Sequence, residues 1–326
     1  MKKLLFSLLF IFSLKIVFAQ STLMATLDHN GEITHCYGSH ALVDAMKLAA
    51  DGDIITLSSG AFVATNISKT ITLRGAGMDS EYGEPTIIKS GSLYIQATDT
   101  TKVLTIEDIQ IIGSVIFNGK NKDSRLRKCR FNSLNGSSNN INGLTVENCV
   151  IKSLTMSGTG IKILNSVMSN VGISGTTGAQ FINCILQGSM SNLDYCELCN
   201  SILVANSNNY ALPSSSIATN CIGYGRNSFV NIPNSTNWHI DPSTTNIFAN
   251  ESQNSNSTLF NFTSFELTEE VMSAYLGTDG TEVGVYGGFL PYTSKPTNPK
   301  ITKCNVAKKT TADGKLSVEI EVSAQE

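Results

Sequence analysis

The chain has 326 residues, of which 15% are charged, and its formal net charge is −3. An average soluble domain carries about 25% charged residues. Disordered tails need high net charge and nucleic-acid-binding domains need basic patches, so the composition argues against both. Coiled coils are excluded as well, because Ala, Glu, Lys, Leu and Arg do not dominate the composition. Small polar residues and 26 glycines occupy the positions that charged residues take in an average domain.

An export signal is predicted over residues 1–19. Lys2 and Lys3 precede an apolar run at residues 4–14, and Val17 and Ala19 fit a cleavage site that follows Ala19. The run is too short to span a bilayer, which takes about 20 residues. We therefore expect an exported protein, extracellular, on the cell surface or in the periplasm, with no membrane span and, from its charge, no nucleic-acid partner.

A short amphipathic helix is predicted after the first polar residues. Leu42, Ala45, Met46 and Ala49 share one helical face, an Asp-Gly pair ends the helix, and residues 53–57 begin a strand. A stacked β-structure needs a cover over its open end, where apolar core would otherwise meet water. This helix is expected to be that cap.

Residues 106–222 contain seven repeat units that start 17 to 20 residues apart. Each unit reads as an apolar residue, a variable one, Asn or a near-equivalent, a small residue, a variable one and an apolar one. Short β-branched segments separated by Gly, Ser and Asn predict strands and turns, with no room for a helix. We therefore expect an all-β fold, a right-handed parallel β-helix (solenoid) with an N-terminal capping helix and a C-terminal β-hairpin extension.

Stacking places equivalent residues of the repeat units in columns. The third position should lie at a left-handed bend, with amide-to-amide hydrogen bonds between the Asn side chains of adjacent coils. We call these residues the Asn column. The column contains Asp108, Lys128, Asn148, Asn165, Asn183, Asn200 and Asn220. The fourth position should face the core, and we call it the inner column. Its cysteines are expected to be free thiols, although the spacing of stacked Cys129 and Cys149 would also allow a disulfide. The inner column contains Ile109, Cys129, Cys149, Ser166, Cys184, Ser201 and Cys221.

Side chains at the fifth position should face outward. They begin with Gln110 and Arg130 and then become an apolar stripe, which consists of Val150, Val167, Ile185, Ile202 and Ile222. Strands that are apolar on both sides are covered on both faces. Our hypothesis is that residues 225–290 or the C-terminal hairpin lies over this stripe. In the early coils, Glu107, Arg127 and Glu147 predict a ladder of ion pairs.

Aromatic side chains in the irregular part of the chain are the candidates for substrate binding: Tyr210, Tyr224 and Trp238. On exposed loops they would stack on sugar rings. The alternative, which the apolar stripe favours, is that they pack over it.

Three segments carry a resemblance to a known family. Residues 50–62 (Ala-Asp-Gly-Asp-Ile-Ile-Thr-Leu-Ser-Ser-Gly-Ala-Phe), residues 71–77 (Ile-Thr-Leu-Arg-Gly-Ala-Gly) and residues 279–288 resemble the opening and the last coil of secreted right-handed β-helix proteins of the pectin-lyase-like superfamily. The resemblance implies this fold over about residues 40–290. It leaves the activity open, because the fold hosts lyases, hydrolases and adhesins.

Catalytic machinery of that family is not evident in the sequence. Lyases of this fold generally need an acidic cluster for calcium and a basic residue, and hydrolases need two carboxylates. The central coils carry few charged residues, so we predict no catalytic residue, no cofactor and no metal, with calcium expected only if the chain is a lyase. A basic group could bind an acidic glycan, although strand alternation splits its members between faces: Arg125, Arg127, Lys128 and Arg130.

The C-terminal part is predicted to be separate from the solenoid, which we place at residues 20–292. Residues 293–299 are rich in Pro, Thr and Asn and read as a linker, and a hairpin follows with a turn at Asp313-Gly314. Because an isolated hairpin is marginal in water, it should dock on its own solenoid or contact another protein. The expected function is non-catalytic, an adhesin-like or glycan-binding surface or secreted protein with a carbohydrate or cell-surface partner; the alternative is a polysaccharide lyase.

Overall fold

The computed structural model describes residues 23–89, 91–136, 141–173, 178–188, 190–191, 193–204, 211–225, 228–232, 236–254, 258–307, 309–311 and 313–323. The predicted export signal and Tyr210 lie outside these residues. Among the described residues, no helix has the length and the apolar content needed to cross a membrane.

Strands dominate the secondary structure. They are β1 (Met24–His29), β2 (Glu32–Tyr37), β3 (Ile54–Leu57), β4 (Gly60–Val63), β5 (Asn66–Ile67), β6 (Thr72–Gly77), β7 (Thr86–Lys89), β8 (Leu93–Ile95), β9 (Thr105–Phe117), β10 (Asn121–Arg127), β11 (Arg130–Gly136), β12 (Ile141–Glu147), β13 (Val150–Ile151), β14 (Leu154–Met156), β15 (Thr159–Leu164), β16 (Val167–Met168), β17 (Val171–Ile173), β18 (Gln180–Ile182), β19 (Ile185–Gln187), β20 (Met190–Ser191), β21 (Glu197–Cys199), β22 (Ile202–Val204), β23 (Ile217–Thr219), β24 (Ile222–Tyr224), β25 (Trp238–Ile240), β26 (Lys300–Val306) and β27 (Val318–Ser323). The helices are α1 (Ala41–Leu48) and α2 (Glu269–Ala274), with 3-10 turns at Glu251–Gln253 and Leu259–Asn261.

The strands stack in parallel as three faces of a β-solenoid, which confirms the predicted fold class. The first face runs from β3 through β6, β9, β10, β12, β15, β18 and β21 to β23. The second runs from β4 through β7, β9, β11, β13, β16, β19, β22 and β24 to β25. The third contains β5, β8, the ends of β9 and β11, β14, β17 and β20.

The N-terminal end of the solenoid is closed as predicted, with one element in addition. Helix α1 buries Ala41, Leu42, Ala45 and Met46 against the core. Strands β1 and β2, which the sequence analysis did not predict, form an antiparallel hairpin, and β1 pairs with β3 so that the hairpin extends the first face.

The Asn column lies at the bend between the first and second faces, where a left-handed backbone turns the chain. All seven members have positive φ, between 44° and 60°. Asn and Asp adopt this conformation more readily than other residues with a side chain. The predicted bend is therefore confirmed at every coil of the repeat.

The inner column is buried as predicted, and it is also a ladder of hydrogen bonds. Ser166 Oγ donates to the carbonyl of Leu164 at 2.7 Å and accepts from the N–H of Cys149 at 3.0 Å. Ser201 repeats the arrangement and accepts from the N–H of Cys184 at 3.0 Å. At the bend these N–H groups point into the core, so a hydroxyl or thiol one coil further supplies their acceptor.

The thiols of the inner column are unsuited to redox chemistry. Every cysteine whose side chain is described is a free thiol. Burial raises the pKa of Cys184 and Cys221 to about 12, and it also raises that of Cys129. Because the thiolate is the reactive form, these groups serve packing and hydrogen bonding.

A second apolar core lies outside the solenoid. The stripe residues Val150, Val167, Ile185, Ile202 and Ile222 are fully buried, each with 0% of its surface exposed. Residues 240–275, which we call the cover, and part of the chain after them contribute the other side of this core. The hypothesis that the segment of residues 225–290 lies over the stripe is confirmed for its described residues from 240 onward.

The C-terminal hairpin forms a separate two-stranded antiparallel sheet of β26 and β27. All six residues of β27 are exposed, including Val318, Ile320 and Val322. The side chains of β27 therefore do not pack on the solenoid, which argues against the first of the two alternatives. The apolar side chains of this strand remain in contact with water.

Candidate functional site

Residues 276–299, which we call the strap, run back along the outside of the solenoid from its last coils to its first. Asn220 Nδ2 donates to the carbonyl of Leu276 at 2.9 Å, and Asn200 Oδ1 accepts from the N–H of Thr278 at 2.9 Å. Asn165, three coils earlier than Asn220 in the repeat, donates to two carbonyls of residues 285–287. The strap thus follows the Asn column antiparallel to the order of the coils.

The strap changes the role of the column amides. The described amide nitrogens of Asn165, Asn200 and Asn220 donate to strap residues. The amide-to-amide ladder expected from the sequence is not seen at these positions. A left-handed Asn directs its side chain out of the bend, where the strap offers carbonyl and hydroxyl partners.

Strap residues 293–299 are fastened to the first coils, although they read as a linker in the sequence. The N–H of Thr297 donates to Asp108 Oδ2 at 2.9 Å, and Asn298 Nδ2 donates to the carbonyl of Gly75 at 2.6 Å. Ser294 Oγ donates to Glu81 at 3.2 Å. These contacts bring the start of the hairpin to the N-terminal end of the solenoid.

A cleft of about 690 Å³ lies beside this end of the strap. Its floor is the bend between the first and second faces in the first two coils, with Thr56, Ser59 and Ala76 on its surface. Buried Thr86 ties the two coils together, because its Oγ1 accepts from the N–H of Ala76 and donates to the carbonyl of Ser58, both at 2.8 Å. The floor is therefore a rigid part of the solenoid.

The walls of the cleft come from two segments outside the repeat. One is the loop of residues 82–84, whose Tyr82 is 37% exposed and whose Glu84 supplies a carboxylate. The other is the strap, through Pro296, Asn298 and Pro299. Aromatic and proline faces beside hydroxyl, amide and carboxylate groups suit a ligand with C–H faces and many hydroxyls.

The aromatic residues proposed from the sequence lie elsewhere. Tyr224 is buried in the second core, where burial raises its pKa and its hydroxyl donates to Asn254 at 3.4 Å. Trp238 is half-buried and packs edge-on against Tyr275 with ring centroids 5.3 Å apart. These contacts correspond to the packing alternative. A sugar-binding role for Tyr224 and Trp238 stays a prediction, and Tyr210 lies outside the described residues.

The charged ladder of the early coils is present on the outer side of the first face and is longer than predicted. Arg127 lies 3.8 Å from Glu107 and 3.5 Å from Glu147. Arg74 adds a contact of 2.5 Å to Glu107. Each carboxylate therefore lies beside a guanidinium, an arrangement that suits a structural ion-pair network more than a free base.

The basic group of the sequence is divided among three environments. Arg125 is exposed on the first face, Arg127 belongs to the ladder, and Lys128 is in the Asn column. Arg130 is buried at the edge of the cover, where it donates to the carbonyls of Phe260 and Phe262. The four side chains do not form one patch.

Among the described residues, no group of three or more His, Cys, Asp or Glu side chains is arranged to hold a metal ion. The sequence also contains a Cys-x-x-Cys pair, Cys196 and Cys199, of which Cys196 is buried and has its pKa raised to about 12, mainly by burial. This thiol is therefore protonated at neutral pH.

Comparisons of the chain with protein-family models, with curated proteins and with solved structures found no match.

Sequence reasoning missed the cleft because its parts are distant in the chain. Tyr82 and Glu84 lie in a loop within the second coil, and Asn298 lies more than 200 residues later. The signal in the sequence is local: residues 78–85 interrupt the coil with polar residues and Gly and Pro. It indicates a loop and gives no indication of what the loop faces.

Proposed function

We propose that this chain is an exported, non-catalytic β-solenoid protein that acts outside the cell or at the bacterial surface and binds a carbohydrate. The binding site is the cleft between the loop of residues 82–84 and the strap. The chemistry of the lining carries the proposal: Tyr82 and Pro296 offer flat apolar faces, and Thr56 and Asn298 offer hydrogen bonds at their side. Sugar rings present C–H faces and hydroxyls in this combination.

The charges near the cleft support binding over cleavage. Glu84 is the carboxylate among its described lining residues, whereas glycoside hydrolysis employs a pair of carboxylates about 5 to 10 Å apart. On the neighbouring first face, Glu107 and Glu147 are held by arginines. The resemblance to the pectin-lyase-like superfamily fits a secreted carbohydrate-binding protein as well as a lyase, so it does not decide between them.

A glycan microarray, read with and without calcium and coupled to detection of unsaturated products, tests this function. We expect binding of at least one carbohydrate without cleavage and without a calcium requirement. In the Tyr82→Ala variant affinity should fall up to about tenfold, since an aromatic stacking contact contributes about 0.5–1.5 kcal/mol and about 1.4 kcal/mol is a factor of ten. Cleavage of any polysaccharide would replace the proposal with the lyase alternative.

Tyr94→Ala is the matched control. Tyr94 is as exposed as Tyr82, at 37%, but it lies in β8 on the third face and does not line the cleft. Its removal should leave binding unchanged. Equal losses in the two variants would place the sugar outside the cleft.

The hairpin supports a second, separate proposal of protein contact. Val318, Ile320 and Val322 are more than half exposed on a strand that does not pack on the solenoid. Exposed apolar strands of this kind pair or pack with other chains. The partner proposed is a second copy of this chain: sedimentation of the purified protein should show self-association, and Ile320→Lys should abolish it and leave glycan binding intact.

A further inference from the structure

Two members of the Asn column break its pattern, and both lie at the cleft end of the strap. The later members of the column are Asn, whereas the first two are Asp108 and Lys128. Lys is an uncommon residue at a positive φ, which is 47° at Lys128. The repeat can be built with Asn at these positions, so the two ionisable residues call for another explanation.

Asp108 accepts a hydrogen bond from the strap and is buried. Its side chain is 0% exposed, and Oδ2 accepts from the N–H of Thr297. Its other oxygen, Oδ1, is buried and has no hydrogen-bond donor among the described residues. An ionised carboxylate in this position loses its hydration and regains one hydrogen bond, whereas in an open strap both oxygens would be hydrated.

The groups around Asp108 compensate its burial incompletely. The hydrogen bonding of Thr297 and, to a smaller extent, the charge of Lys128 one coil further favour the ionised form, and neighbouring Glu107 disfavours it. The thiol of Cys129 beside them is buried, and its own pKa is raised. Burial is the largest influence and raises the pKa of Asp108 to about 6.

We propose that residues 293–299 form a proton-controlled lid over the cleft, latched on the Asp108 carboxyl: the lid is held closed when this carboxyl is protonated and loosens when it is ionised. The inference rests on the proposed function, because Pro296, Asn298 and Pro299 wall the proposed binding cleft. A looser lid at higher pH would widen access to the site. The ligand would then enter most easily above pH 6 and be retained below it.

The direction of the pH dependence follows from the pKa of Asp108 in the closed and in the open lid. In the closed lid the pKa is about 6, and in an open, hydrated lid it returns to the ordinary value of about 3.9. The closed lid therefore binds the proton more tightly. The stabilisation of the closed lid by this proton is complete below about pH 4 and is lost as the pH rises through about 6. Between pH 7.5 and pH 5, closing should become about tenfold more favourable.

Hydrogen–deuterium exchange of the strap, measured by mass spectrometry without any ligand, tests the lid. The reporter is the peptide that contains Thr297, whose N–H reaches Asp108. After correction for intrinsic exchange, its protection factor should be about tenfold higher at pH 5 than at pH 7.5. Because no sugar is present, the outcome is independent of whether the cleft binds a carbohydrate.

Asp108→Asn is the decisive variant, because it places the common residue of the column at this position and cannot titrate. Its strap should show the same protection at both pH values. Lys128→Asn removes the cation that favours ionisation, so the pH midpoint of protection should move upward. Equal pH responses in the original protein and in Asp108→Asn, or an unchanged protection factor in the original protein, would overturn the proposal.

Central-coil peptides provide the control for folding. Amides of β18 and β19 should keep the same protection in all variants, since these coils lie away from the latch. If Asp108→Asn loses protection there as well, the Lys128→Asn variant still tests the lid, because the pH midpoint of strap protection should be higher in it than in the original protein.

Discussion

Ser201 provides the sharpest test of how the inner column stabilises the solenoid. Its side chain is 0% exposed. Oγ donates to the carbonyl of Cys199 at 2.9 Å, with a longer contact to the carbonyl of Phe181 at 3.3 Å, and accepts from the N–H of Cys184 at 3.0 Å. Replacing Ser201 with Ala keeps the volume almost unchanged and removes these hydrogen bonds. The substitution therefore isolates the polar role of the column from its packing role.

The cost can be worked out from the two partners. The carbonyl of Cys199 also accepts from the N–H of Asn183 at 3.0 Å, so it stays satisfied. The N–H of Cys184 has Ser201 Oγ as its acceptor and is left unpaired in the core. An unpaired buried donor costs about 1–3 kcal/mol, and the lost donation adds about 1 kcal/mol. We expect Ser201→Ala to lower the free energy of unfolding by about 2–4 kcal/mol.

Equilibrium unfolding in urea measures this change, with Ser201→Cys as the matched control. A thiol already accepts an N–H in this column, since the N–H of Ser201 donates to Cys221 Sγ at 3.5 Å. The Cys variant should therefore lose less than half as much stability as the Ala variant. If Ser201→Ala were as stable as the original protein, or if both variants lost the same amount, the hydrogen-bond ladder would have no energetic role.

Two further substitutions test the second core and the strap. Ile185→Ala should cost about 2–5 kcal/mol in urea unfolding because this outward side chain is fully buried under the cover; Ile112→Ala, at a position 47% exposed, is its control and should cost less than about 1 kcal/mol. Gly287→Ala would place a Cβ 1.9 Å from the carbonyl oxygen of Glu282, so the strap should shift. Its backbone amides should then exchange faster with deuterium. Unchanged exchange would show that the strap is not held at this position.

The repeat made the interior of the fold predictable. Its third and fourth positions predicted the left-handed bend and the buried inner column at every coil, because stacking gives equivalent residues the same surroundings. The apolar fifth position predicted a cover, since Val167, Ile185 and Ile202 cannot face water as one stripe. The identity of the covering segment was predicted less directly, from the length of chain that follows the repeat.

The N-terminal hairpin has a local signal in the sequence. Asn30 and Gly31 have φ values of 53° and 91°, which the two central residues of a tight hairpin turn require. They link β1 to β2 between alternating residues. An Asn-Gly pair in this setting predicts a hairpin without any tertiary information.

The strap and the cleft could not be derived in this way. Thr297 and Asp108 are 189 residues apart, and Asn298 and Gly75 are 223 apart. The composition of residues 293–299 is that of a linker, and only the tertiary structure shows that it lies against the first coils. The same limit applies to Tyr82, whose place in the cleft depends on where the strap returns.

The most direct test of the proposed binding site is a hydrogen–deuterium exchange footprint with the carbohydrate that the microarray identifies. Binding in the cleft should add protection in the segments around it, residues 56–59, 75–84 and 293–299, and should leave β24 and β25 unchanged. Protection confined to β24 and β25, around Tyr224 and Trp238, would contradict it and return the binding site to the aromatic residues of the second core.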